Sequence, residues 1–212
     1  LGIVSGAFGA FRRHALERAR GWDVGPGEDG DLVLRLRKMG WGIVHAPYAQ
    51  CKTNLPTKWR QLFTQRRRWE WPVITFECRK HVNMANVFSP NFRLANLVVL
   101  SQSWLCSIFL TLAFFGYLIW LGVWHRDILG FVLMTNYAAY LLLDTFQWLA
   151  VLYFSPDRRR DAQSLWCAPL LPLYYCFLRV ATLVAIFEEA FFRRSFDDNF
   201  VPKRVRNVTW RW

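Results

Sequence analysis

What the 212 residues lack narrows the field first. No two cysteines stand at C-x-x-C spacing: Cys51, Cys78, Cys106, Cys167 and Cys176 are scattered, and the last three lie in apolar runs. A disulfide framework and a zinc site are therefore not expected, and the five read as small core or lipid-facing residues. Acidic residues are scarce, 15 against 27 Lys and Arg, which leaves a formal charge of +12. The opening Leu-Gly-Ile-Val-Ser-Gly has no initiating Met and no basic or apolar region of a signal peptide, so the chain is expected to be part of a longer protein. At 54% hydrophobic and 17% aromatic, with 12 Trp and 18 Phe, it is neither disordered nor collagen-like. Positive charge interleaved with aromatics raises nucleic acid as a partner. The arginines, however, cluster beside long apolar runs and no recognition motif is present, so no nucleic acid is expected.

Charge is also missing locally. From Leu94 to Trp124 there is no Asp, Glu, Lys or Arg, a run well beyond the roughly 20 residues that cross a bilayer. A second run, Ile128 to Phe154, carries only Asp144 and ends at Ser155-Pro156. The third, Leu165 to Phe192, contains Pro169, Pro172, Arg179, Glu188 and Glu189, and either crosses tilted and kinked or dips in and returns. Membrane helices are expected at about 94–122, 128–154 and 165–192. Arg158-Arg159-Arg160, set against a charge-poor 125–127 turn, puts the arginine loop and residues 1–90 in the cytoplasm. A re-entrant third run would bring the basic and aromatic tail, residues 193–212, to the same side. Intramembrane Asp144 faces the bundle interior or water, as a channel residue or as one half of a structural pair.

The first part of the chain reads as a soluble α/β region, residues 1–54. Gly2 to Phe11 suits a buried strand and turn, and His14 to Arg20 a helix stopped by Gly21. Leu32, Leu36 and Met39 recur at helical spacing until Gly40, with Asp29 or Asp31 available as a cap, and Trp41 to Ala46 is a short strand candidate. Glu28-Asp29 has two readings. A carboxylate on a strand-to-helix turn can take a proton from a bound hydroxyl, and acidic residues also simply favour a helix N-terminus.

Residues 55–93 read as amphipathic interfacial helices. A helix over Thr57 to Trp71 puts Gln65, Arg68 and Trp69 on one face, an amide, a guanidinium and an indole together. Arg grips phosphate oxygens through paired donors, and an indole offers a sugar a flat apolar surface. The same segment can lie in the headgroup region, with Trp59, Leu62 and Phe63 inserted and Lys58, Arg60, Arg66 and Arg67 meeting anionic lipid.

In order along the chain, Ser5-Gly6-Ala7-Phe8-Gly9-Ala10-Phe11-Arg12-Arg13, Gly21-Trp22-Asp23, Gly27-Glu28-Asp29, Gln65-Arg66-Arg67-Arg68-Trp69 and then membrane helices resemble the second half of a processive family 2 glycosyltransferase. Cellulose, chitin, hyaluronan and poly-N-acetylglucosamine synthases are members. The resemblance covers residues 3–80 by motif and the rest by layout. It implies the C-terminal part of a GT-A-like, α/β nucleotide-sugar transferase domain, followed by an interfacial helix and an α-helical transmembrane bundle. It implies Asp29 as general base with Glu28 beside it, Gln65 and Arg68 near the donor pyrophosphate, Trp69 near the acceptor sugar, and Trp22 on the acceptor side. The implied reaction is inverting transfer from a UDP-linked sugar to a growing β-linked polysaccharide that passes outward through the membrane helices. Mg²⁺ or Mn²⁺ is implied as cofactor. Its ligands and the uridine-binding aspartate belong to the N-terminal half of the enzyme, so residues 1–212 are expected to contain no metal ligands and to be inactive alone. The implied location is the plasma or inner membrane, with the catalytic part cytoplasmic. Gly30-Asp31 stands where chitin and hyaluronan synthases tend to have Arg, which is nearer the bacterial cellulose and poly-N-acetylglucosamine pattern. Two other classes stay open: a non-processive lipid glycosyltransferase, and a non-catalytic membrane subunit.

Overall fold

The computed structural model describes residue 4 and residues 6–22, 27–46, 49, 51–89, 92–155 and 157–198. Every regular element among them is helical. This corrects the α/β expectation. Trp41 to Ala46 carries no strand and Val44 stands 91% exposed, while Gly2 to Phe11 lies partly outside the described residues and the rest of it is irregular. A strand exists through its ladder to a neighbour, and no second strand is present among the described residues to supply one.

Helix α1 (Arg13–Arg18) stops where Arg20 and Gly21 turn left-handed. Helix α2 (Glu28–Lys38) has Glu28, Asp29 and Asp31 in its first turn and Arg35, Arg37 and Lys38 in its last, both complementing the helix dipole. It is entered through Gly27 at φ 85°, and no side chain caps it, so neither Asp29 nor Asp31 is the cap. Glycine is required at that corner twice over: for the left-handed backbone, and because a Cβ would come within 2.2 Å of Pro72 Cγ. Helix α3 (Trp59–Pro72) carries the arginines. Pro72 has no N–H for the Arg68 carbonyl, and the chain continues in wide π-type turns over Val73–Lys80. A 3₁₀ turn, Val82–Ala85, leads to α4 (Leu94–Ser103), further wide turns over Trp104–Phe109, and α5 (Leu110–Trp124).

Only His125 separates α5 from α6 (Arg126–Phe154). The corner closes because Arg126 Nε donates to the Gly122 carbonyl at 2.8 Å, an end of α5 left without an intrahelical donor. Beyond α7 (Arg158–Ala162) the backbone stays helical, 3₁₀ over Gln163–Leu170 and then α8 (Leu171–Phe192), so Pro169 tightens the third run without interrupting it. A last 3₁₀ turn, Arg194–Asp197, follows. Among the described residues three stretches are long and apolar enough to cross a membrane: Leu94–Trp124, Arg126–Phe154 and Arg158–Phe192.

The chain forms two compact units, residues 1–111 with 181–212, and residues 112–180. In the first, α2 is central. Leu32 and Leu36 pack against Ala15 and Ala19 of α1, while Leu34 meets Phe76, Met84 and Leu100. Arg37 fastens α2 to α4 through the Asn96 side chain at 3.0 Å and the Ala95 carbonyl at 3.1 Å. In the second unit, Phe131, Met134 and Phe146 face outward, as lipid-facing residues do. Its polar contacts include Trp148 Nε1 donating to Ser164 Oγ at 3.0 Å on the exposed side and Tyr175 donating to the buried Asp144 at 2.9 Å. Asp144 is 5% exposed and accepts from the Tyr175 hydroxyl.

Candidate active site

Each arginine of the QRRRW segment meets a different partner. Arg66 lies over the Trp69 indole, 4.5 Å from the ring centroid. Arg67 reaches Glu188 at 2.9 Å, and Arg68 reaches Asp198 through both Nε and Nη2 at 2.7 Å. Further along, near the end of the wide-turn segment, Arg79 meets Glu189 at 3.0 Å. The carboxylates at the end of the third apolar run therefore form ion pairs with α3 and with the wide-turn segment that follows it. Glu189 is the centre of this set: fully buried, it accepts from Thr75 at 2.7 Å and from the Ser195 backbone and hydroxyl at 2.9 and 3.0 Å. A carboxylate so enclosed keeps its place only because four donors replace its hydration.

Along α3, Arg60, Gln61, Thr64, Gln65 and Arg68 line an open cavity of about 510 Å³, walled on the other side by Asn54, Leu55 and Pro56. Helical spacing explains the set, since these positions recur on one face. The cavity joins Gln65 and Arg68. Trp69 is not among its lining residues and stands 57% exposed at the helix surface. Neither Glu28 nor Asp29 lines it, but the entrance to α2 touches α3 through Gly27 and Pro72, and Pro72 is one helical turn beyond Arg68.

Asp29 is partly buried. Its Oδ2 accepts from the Gly6 N–H at 3.0 Å and its Oδ1 from the Gly30 N–H at 2.8 Å, so the carboxylate ties the irregular segment around residue 6 to α2. Glu28 is exposed. Trp22, also exposed, lies edge-on to Phe11 with ring centroids 5.7 Å apart.

Sequence reasoning missed the role of Asp31. It has no exposed surface and accepts from Arg35, Lys80 and His81 at 2.8, 2.9 and 2.7 Å. Burial pushes its pKa up, yet the hydrogen bonds from His81 and Lys80 and the charges of Lys80 and Arg35 outweigh burial and hold it at about 2. Burial in turn pushes His81 below its ordinary value, against the pull of Asp31. The acid two places after Asp29 is thus the bolt between α2 and the end of the wide-turn segment. A carboxylate three residues before Leu34, on the same helical face, was the available signal. Burial pushes Glu77 up to about 7, opposed by a hydrogen bond with Ser103 and reinforced by the charge of Glu70. Among the described residues no three His, Cys, Asp or Glu side chains are grouped to hold a metal ion, so they do not fit a divalent-cation site.

A family model described as glycosyl transferase family group 2 matches residues 2–187. The chain belongs to this family. Within the family it is similar to three plant proteins. One is the probable glucomannan 4-beta-mannosyltransferase 6 of Oryza sativa subsp. japonica, 32% identical over 75 residues, 34% of this chain and 13% of that protein. The others, from Arabidopsis thaliana, are the probable glucomannan 4-beta-mannosyltransferases 10 and 15, 36% and 33% identical over 66 residues, 31% of this chain and 12% of each. The match therefore spans about an eighth of the length of these curated relatives. No solved structure matches the chain.

Proposed function

We propose that this chain carries the acceptor side of a membrane-embedded, inverting glycosyltransferase that extends a β-linked polysaccharide from a nucleotide-activated sugar. One observation carries the reading. The entrance of α2, which holds Asp29, packs on α3 one turn from Arg68, and Arg68 shares a cavity with Gln65. Two groups with opposite tasks in sugar transfer thus sit on elements in direct contact. In the proposed step the Asp29 carboxylate takes the proton of the acceptor hydroxyl as that oxygen attacks the anomeric carbon. The bond from that carbon to the diphosphate oxygen breaks on the opposite face, and Arg68 meets the charge developing on the leaving nucleoside diphosphate. The exposed Trp69 indole offers the acceptor sugar an apolar plane. The three apolar helices hold the site at a bilayer, and residues 1–90 lie on its cytoplasmic side. The donor is read as UDP-linked, and the names of the relatives add nucleotide-activated mannose to the sugars worth trying.

The test uses the full-length protein in membranes with a panel of nucleotide sugars. Polymer of many units is expected from the wild type, and Asp29→Asn should lower its rate by about 100-fold or more, the scale of general-base catalysis, at unchanged expression. Unchanged output from that variant rules out Asp29 as the base. A single sugar added to lipid rules out polymer extension.

A further inference from the structure

The partner of Arg68 comes from the far end of the chain. Asp198, 5% exposed, holds both Nε and Nη2 of that guanidinium at 2.7 Å. It is not a loose acid on a strand of tail. Three residues earlier Ser195 is bonded twice to Glu189, whose Oε1 also takes Thr75 and Arg79 of the segment continuing α3. Arg193, in the left-handed region at φ 49°, turns the chain back toward α3 to make this possible.

We propose that Asp198 is a positioning residue for donor binding: it sets the guanidinium of Arg68 in the orientation that receives the diphosphate. This rests on the proposed glycosyltransferase function. Two physical arguments favour positioning over simple competition for the arginine. A long, rotamer-rich side chain loses freedom when it binds, and a pre-formed pair removes that loss beforehand. The turn that presents Asp198 is itself anchored three residues earlier, where Ser195 is bonded through its backbone and hydroxyl to the buried Glu189, and leaving either member of the Arg68–Asp198 pair alone in so enclosed a place is costly.

The experiment measures donor KM and kcat for Asp198→Ala and Asp198→Glu in the full-length enzyme, with Arg68→Ala and the double variant, and binding of UDP and GDP to each. For Asp198→Ala a rise of about tenfold in donor KM is expected, with kcat changed less and nucleoside diphosphate binding weakened in parallel. Asp198→Glu should recover most of the loss. In the Arg68→Ala background the same change should add less than about twofold, because coupled residues are not additive. A fall in donor KM would show that Asp198 competes with the donor, and overturn the proposal. So would an unchanged KM with a lowered melting temperature, or an equal effect with and without Arg68. A wild-type protein that neither transfers sugar nor binds a nucleoside diphosphate overturns the parent function and this proposal together. Normal wild-type turnover with an unaffected Asp198→Ala overturns this proposal alone.

Discussion

Among single residues, Asp31 shows how burial turns one carboxylate into an anchor. Two cations, Arg35 and Lys80, and the His81 ring converge on it where it has no exposed surface, so removing its charge leaves Lys80 and Arg35 facing a neutral side chain. Asp31→Asn is expected to cost about 3–5 kcal/mol, the range for breaking a buried pair from one side, read as a lowered melting temperature in detergent. The pH dependence has a definite sign. The folded value, about 2, lies below the ordinary 3.8, so the stabilisation is complete above pH 4 and is lost as pH falls through 2. About 2 kcal/mol follows from that difference, and acid titration of unfolding should show it in the wild type and not in Asp31→Asn. None of this was legible from the motif. The first-turn acids Glu28, Asp29 and Asp31 look alike in a string, and only the fold makes one exposed, one partly buried and one enclosed.

Between elements, the corner of α2 against α3 and the wide turns after Pro72 decide where the site forms. Gly27→Ala puts a methyl group 2.2 Å from Pro72 Cγ on a left-handed backbone. Strain and overpacking together predict a loss of about 2–5 kcal/mol, with Asp29 drawn away from α3, so polymer output should fall along with thermal stability. The wide-turn segment carries its own titration. Glu77 has a folded value of about 7, above the ordinary 4.5, so the folded state prefers the acid form. Its cost is absent below pH 4.5, grows as pH rises through that interval and is complete above 7. Glu77→Gln should therefore be stabilising by about 2–3 kcal/mol at pH 8 and neutral at pH 4, measured by thermal unfolding at the two values. Helix α3 and its arginine face followed from periodicity alone. The destinations of Arg67 and Arg68, more than a hundred residues away, did not.

Across the whole molecule, the pairing of Asp198 with Arg68 predicts that the start of the tail and α3 lie on one side of a membrane. Exposed Cys51 and an introduced Arg194→Cys should then react with an impermeant maleimide from the same face of oriented vesicles; labelling from opposite faces would contradict the pairing of Arg68 with Asp198. The three apolar stretches, the helical arginine segment and the break at Gly21 could be read directly, because hydrocarbon length, 3.6-residue periodicity and glycine's backbone freedom are local properties. Among the described residues of 1–54 no strand is present, since a ladder needs a neighbour that a local pattern cannot provide. The arrangement of charge was likewise a matter for the folded chain. Asp31 meeting Lys80 and His81, Glu189 gathering Thr75, Arg79 and Ser195, and Asp198 holding Arg68 all depend on distance through space, and electrostatic strength follows that distance and the surrounding dielectric, not separation along the backbone.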